Sequence, residues 1–261
     1  MMIGRAGPAT TSISTADAAS ITVRGRDLCG DVMGRLTFTD YFFLLVTGDE
    51  PTPLQREFLD LLLIAIAEHG LVPTNQAARM TLAADPDSIQ SAVAAGILGC
   101  GTVVLGTAQT AGNCLRRALA RADETGVSPE DALRTELEAI RAVKGPAPGF
   151  GHPLHKPSDP RAQRIMALAE ARGAAGPYVA LARAAETLVP EVWGRALPMN
   201  VSMAIAAVLL DLGFPPAMLK GIPILARTAS LIAHLGEEQQ RPIGFLMAGH
   251  AEAAISYEAG Q

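Results

Sequence analysis

The sequence predicts an all-α protein with at most one short strand or hairpin near its N-terminus. Three observations carry that expectation. Of its 261 residues, 49% are hydrophobic but only 4% aromatic, so Ala, Leu, Ile and Val must fill the core, which suits closely packed helices. Apolar residues recur at helical steps along most of the chain. Helix starts are spelled by Ser, Asp or Asn, often with Pro next, and helix ends by Gly.

Taken in order, residues 1–20, "MMIGRAGPATTSISTADAAS", read as a loose tail without the continuous apolar core of a secretory signal. "SITVRGRDLCGDV" alternates β-branched residues with glycines and predicts the strand or hairpin. In "TPLQREFLDLLLIAIAEHGLVPT", Leu54, Phe58, Leu61, Leu62, Ala65 and Ile66 share one helical face and Gly70 supplies the stop, leaving His69 at the helix end. "GILGCGTVVLGTAQTAG" is rich in small residues and permits close helix approach at an internal bend. "SPEDALRTELEAIRAVKG" offers Ser128 as cap, Pro129 in the first turn, Asp131 completing a capping-box pattern and Gly145 as terminator. "DPRAQRIMALAEARG" repeats this grammar with Asp159, Pro160 and Gly173, and "NVSMAIAAVLLDLG" runs from Asn200 to Gly213. The helices within 113–198 are more charged than their flanks, which predicts a small lobe inserted into a large one made of 21–112 and 199–261.

Composition also excludes partners. A net charge of -5 with both signs interspersed lacks the basic footprint that nucleic acid or an anionic membrane requires. The most apolar runs fall short of the roughly 20 residues a bilayer span needs. Cys29, Cys100 and Cys114 are odd in number and lack metal-ligand spacing, which predicts free thiols in a reducing cytoplasm. No P-loop or Gly-x-Gly-x-x-Gly fingerprint is present and the histidines lack clustered ligand spacing, so neither a nucleotide nor a metal is expected.

The chemistry concentrates in "VKGPAPGFGHPLHKPSDPRAQRIMALAE". Its glycines allow close approach to a ligand, while Pro146, Pro148 and Pro153 limit the loop's freedom and present His152. Arg161, on the first turn of the next helix, adds a planar fork suited to a carboxylate, and the helix end itself favours an anion. An imidazole that polarises a carbonyl beside a guanidinium that holds an acid group suits an oxo-acid substrate.

"PGFGHPLHKPSDPRA" resembles the motif of the citrate synthase superfamily, Gly-[Phe/Tyr/Ile]-Gly-His followed by Asp-Pro-Arg. Four more segments resemble the family in order: "VRGRDLCGDVMGRLTFTDYFFLLVTGDEPT", "EHGL", "PMNVSMAIAAVLLDLGFPP" and "ILARTASLIAHLGEEQQRP". The resemblance implies a two-lobed helical enzyme, working as a homodimer, that joins or splits acetyl-CoA and oxaloacetate. By matching positions it implies that His69 and His152 contact the oxo-acid, Arg161 and Arg227 hold carboxylates, and Arg241 reaches the neighbouring subunit's site. It places Pro148, Gly149, Phe150, Gly151 and Lys156 where the family meets CoA, with a CoA thioester as substrate and no permanently bound cofactor. His155 falls where the family commonly has an aromatic or cationic residue and reads as surface or CoA-adjacent packing. His234 reads as a structural, hydrogen-bonding histidine.

Two departures stand beside the matches. Where family synthases carry a Gly-Pro-Leu-His-Gly histidine, this chain has "TVVLG" with Leu105. Where they carry the aspartate of Pro-Asn-Val-Asp, it has Ser202, a hydroxyl with no accessible anion near neutral pH. Losing such a general acid/base typically costs about 100- to 10,000-fold in rate. Asp211, nine positions later and roughly 14 Å along a helix axis, does not replace it. Citryl-CoA lyase modules of the superfamily also lack the histidine, and the chain's length agrees, so the resemblance is nearest to short, citryl-CoA lyase-like members, with Ser202 or water as the proton relay. The alternative expectation is a non-catalytic sensor or partner subunit that binds an oxo-acid or acyl-CoA.

Overall fold

The structure, a computed structural model, describes residues 9–258. Local sequence sets most element boundaries. Three short antiparallel strands, β1 (Ser14–Ala16), β2 (Ile21–Val23) and β3 (Arg26–Asp27), form a sheet in the order β1-β2-β3 with Thr15 opposite Thr22 and Thr22 opposite Asp27. Arg24 and Gly25 both take positive φ in the two-residue β2–β3 turn, the twist that tight hairpins favour. The expected hairpin thus has a third strand, β1, inside the stretch read as loose tail, and residues 1–8 of that tail lie outside the described residues. A π-helical turn, Leu28–Val32, leads to α1 (Phe38–Thr47), which opens with a reciprocal capping box between Thr37 and Asp40 and closes on left-handed Gly48.

The remaining helices are α2 (Pro53–Ala67), α3 (Pro73–Ala84), α4 (Ile89–Leu98), α5 (Thr107–Thr125), α6 (Pro129–Ala142), α7 (Pro160–Arg172), α8 (Pro177–Trp193), α9 (Val201–Asp211), α10 (Gly221–Gln240) and α11 (Gly244–Ala254). Ser128, Asp159 and Asn200 cap α6, α7 and α9 as expected, each side chain accepting a backbone N–H of the first turn. α6 stops at Ala142, short of Gly145, and Lys144 takes the positive φ instead. Among the described residues no helix is long and apolar enough to cross a membrane.

The chain divides into two compact units between Asp60 and Leu61, within α2. In the second unit, α3, α4, α10 and α11 pack together, while α5 through α9 form another group. Ala78, Leu82, Ala92, Leu231 and Leu235 make the core of the first group. α4 has no room for a side chain at Gly96, where a Cβ would lie 2.7 Å from Leu231. α9 is buried from Val201 to Leu210 and is the apolar axis of the second group, meeting α5, α7 and α8. The partition read from charge, 21–112 with 199–261 against 113–198, differs from this arrangement. α9 packs with the charged helices because its all-round apolar surface must be covered on every side, and α5 runs unbroken across residue 112.

Candidate functional site

The loop carrying His152 is held by backbone pairing to the start of α9. Asn200 N–H donates to Gly149 O (2.9 Å), Gly151 N–H donates to Pro198 O (2.7 Å), and Asn200 Nδ2 donates to Gly151 O (3.0 Å). Gly149 is obligatory: its φ is +71°, and a Cβ there would lie 2.6 Å from that of Met203. Pro148, Gly149 and Phe150 are buried by this docking, so of the expected CoA-contacting residues only Gly151 and Lys156 reach solvent. The three buried residues shape the loop.

Arg161 is not the free fork that the sequence suggests. Asp159, fully buried at the cap of α7, accepts from Arg161 N–H, Nε (3.0 Å) and Nη2 (2.8 Å), and from Val201 N–H (3.2 Å). Burial pushes the Asp159 carboxyl upward, but the Arg161 hydrogen bonds and charge outweigh it and hold the group below its ordinary value. The pair ties the start of α7 to the start of α9 through Arg161 Nε and Nη2.

Beside this pair stand three half-buried histidines. His69 Nε2 lies 2.9 Å from His155 Nε2, and the rings of His152 and His155 stack with centroids 4.4 Å apart. His152 Nδ1 accepts from the backbone N–H groups of Leu154 (3.1 Å) and His155 (3.0 Å). Neutral His152 therefore carries its proton on Nε2 and is a hydrogen-bond donor. Burial, then His155, lowers the His152 pKa, and burial, then Arg161, lowers that of His69. Both imidazoles are thus biased to the neutral form. The ligand atoms of the three rings lie within 4.8 Å of one another, a clustering that the sequence spacing did not reveal. Committing His152 Nδ1 to two N–H donors keeps the proton on Nε2, so the trio offers donors and acceptors for an oxygen ligand rather than three lone pairs for a metal.

A polar chain that runs from exposed Glu68 to buried Arg79 and Glu238 supports His69 from behind. Glu68 accepts from Ser230 Oγ (2.6 Å), His234 Nε2 (3.0 Å) and the backbone N–H groups of His69 and Gly70. Against the opposing effect of burial these bonds bring its pKa down to about 2. His234 Nδ1 accepts from Arg79 Nε, whose Nη1 meets buried Glu238 (2.9 Å) and whose Nη2 meets Glu237. Glu238 in turn accepts the N–H groups of Ile243 and Gly244 at the start of α11. His234 is thus the structural histidine that the sequence suggests. Arg227, 2% exposed, donates from Nη1 to Asn75 Oδ1 (2.8 Å), while its Nε is buried without a partner. An orphaned guanidinium N–H is costly unless a ligand oxygen meets it. Arg241 lies exposed at the C-terminal cap of α10.

Leu105 and Ser202 lie in a different environment. Leu105 is buried in the turn before α5 with φ +66°, a left-handed conformation that costs a non-glycine residue about 1–2 kcal/mol. Ser202, 6% exposed, accepts from Thr107 Oγ1 at 2.6 Å, which joins the first turns of α5 and α9. Asp211 is committed elsewhere, accepting the N–H groups of Gly176, Tyr178 and Val179 at the start of α8.

The residues that sequence reading passed over are Glu68, Asn75, Arg79 and Thr107, with His155 placed at the periphery. Only His155 carried a usable signal, its three-residue spacing from His152.

The family profile described as "Citrate synthase, C-terminal domain" matches residues 9–244. The chain belongs to the citrate synthase family. A citrate synthase of Haloferax volcanii is 29% identical over 202 residues, 76% of this chain and 51% of that protein. The chain spans about half the length of the curated relatives it matches. The citryl-CoA lyase of Hydrogenobacter thermophilus superposes with a TM-score of 0.84 at 27% identity, over 98% of this chain and 96% of that one. An ATP citrate lyase of Methanothrix soehngenii, solved with citrate and coenzyme A, shares the fold at a TM-score of 0.77 and 22% identity, over 99% of this chain and 43% of its own.

Proposed function

We propose that this citrate synthase-family chain is a citryl-CoA lyase-like enzyme, cleaving or forming the carbon–carbon bond between acetyl-CoA and oxaloacetate or a related oxo-acid. The observation that carries the reading is the buried, unpartnered Nε of Arg227 in an environment that also feels Arg161, the guanidinium beside His69 and His152. Such a donor is matched by a carboxylate oxygen. The likeness to a lyase of nearly the same length supports the cleavage direction.

In that reading, Arg161 and Arg227 hold carboxylates, and His152 Nε2–H with His69 faces the oxygen on the carbon that becomes the ketone. On cleavage the tertiary hydroxyl loses its proton, its oxygen becomes the ketone, and the bond electrons pass to the acetyl-CoA enolate. The enolate carbon then gains one proton, so the reaction needs a proton path rather than a net acid or base. Ser202 and water supply that path, and turnover is slow because neither is a good acid. Gly151 and Lys156 meet the CoA, around the turn shaped by Pro148, Gly149 and Phe150. A cytoplasmic homodimer, with Arg241 reaching the partner's site, belongs to the same proposal.

Incubating the protein with citryl-CoA and reading released oxaloacetate by enzymatic reduction with NADH tests it. Turnover that His152→Ala lowers by about 100-fold or more supports the lyase. The absence of ionisable groups at Leu105 and Ser202 favours a second reading, a sensor or partner subunit that binds the oxo-acid or acyl-CoA without turning it over. Binding of oxaloacetate or CoA with no release of oxaloacetate selects that one.

A further inference from the structure

His155 is the one member of the histidine trio without an assigned task, yet it touches both others. Its backbone N–H fixes the His152 tautomer, its ring stacks on that of His152, and its Nε2 faces His69 Nε2 at 2.9 Å. At that separation one hydrogen must lie between the two nitrogens, so one ring donates and the other accepts. The ring planes are nearly perpendicular, at 89°. We propose that His155 is a positioning residue for His69, and that the pair takes up one proton, in addition to the hydrogen already between the rings, when a dianionic oxo-acid binds. The inference rests on the oxo-acid reading of the site.

The surroundings assign that proton to the pair. His152 is disfavoured as its recipient, because protonating Nδ1 would set an N–H against two backbone N–H donors. The other charged groups at hand are Arg161, Asp159, Glu68 and Arg227. Asp159 is neutralised by Arg161, and Glu68 is turned to Ser230 and His234. Empty, His69 resists protonation because burial and Arg161 disfavour its charge. A bound dianion reverses this sign and raises the pKa of His69 above its free value. Affinity is therefore highest below the free value and falls, by about tenfold per pH unit at most, as pH rises from the free to the bound value.

The test is calorimetric titration of oxaloacetate into the tag-free protein at several pH values between roughly 5 and 8.5, each in two buffers of different ionisation enthalpy. Wild type should take up close to one proton within this range. His155→Phe keeps the stack on His152 but removes the shared hydrogen. It should take up less than about half a proton and bind about tenfold more weakly near pH 6, with the gap closing by pH 8.5. His155→Tyr, which restores a donor toward His69 without titrating, should recover affinity and not uptake. Proton uptake absent in wild type, or a loss in His155→Phe that is the same at every pH, overturns the proposal while leaving the oxo-acid reading intact. No oxaloacetate binding by folded wild type overturns both.

Discussion

At the end of the site proposed to hold the oxo-acid, three imidazoles stand together, and the guanidiniums of Arg161 and Arg227 are held by buried Asp159 and Asn75, with Glu68 and, through His234, Arg79 behind His69. At the proposed acyl end the chain places buried Leu105 and one hydroxyl pair, Thr107 with Ser202. One end carries charge and the scaffold that orients it; at the other, Leu105, Thr107 and Ser202 do not ionise near neutral pH. The proposed reading therefore divides recognition of the oxo-acid from delivery of a proton to carbon.

The sharpest way to probe that contrast is to return a carboxylate to the acyl end. We expect Ser202→Asp to raise citryl-CoA cleavage or its reverse by about 100- to 10,000-fold, with oxaloacetate affinity changed by less than about threefold. Unchanged turnover with binding intact would mean the acyl end has lost more than a proton carrier. At the opposite end, Arg79→Met leaves buried Glu238 without its ion pair and His234 without its donor. A loss of about 3–5 kcal/mol in urea unfolding is expected, with a further weakening of oxaloacetate binding that CoA binding does not share. A third effect is smaller and appears only in acid. Because the folded Glu68 carboxyl lies near 2 against an ordinary 4.5, its contribution to stability is complete above 4.5 and is lost as pH falls toward 2. Glu68→Gln should flatten that limb of the melting temperature against pH, and an identical limb in both proteins would remove Glu68 from the network.

The same contrast explains what could be read from sequence. Caps are local, so Ser128, Asp159 and Asn200 announced α6, α7 and α9 almost to the residue. β1 was invisible because "STA" is short, polar and exposed, and only pairing with β2 makes it a strand. The place of α9 depends on which helices cover it, which charge along the chain does not encode. His152 and Arg161 were legible because one loop and one helix start carry both. The grip of Asp159 on Arg161 hid behind its role as a cap, since one carboxylate serves both. The chain from Glu68 through His234 to Arg79 joins residues 155–166 positions apart, and no local pattern marks it.

The claim on which the rest depends is that the oxo-acid end is a working dianion site. Titrating oxaloacetate into wild type and into Arg161→Gln, each with and without CoA and each checked for folding, tests it most directly. Wild type should bind with measurable heat and gain thermal stability, and Arg161→Gln should lose about 2–5 kcal/mol of binding free energy. Oxaloacetate that neither binds nor protects the wild-type protein, or that binds both proteins alike, would contradict it.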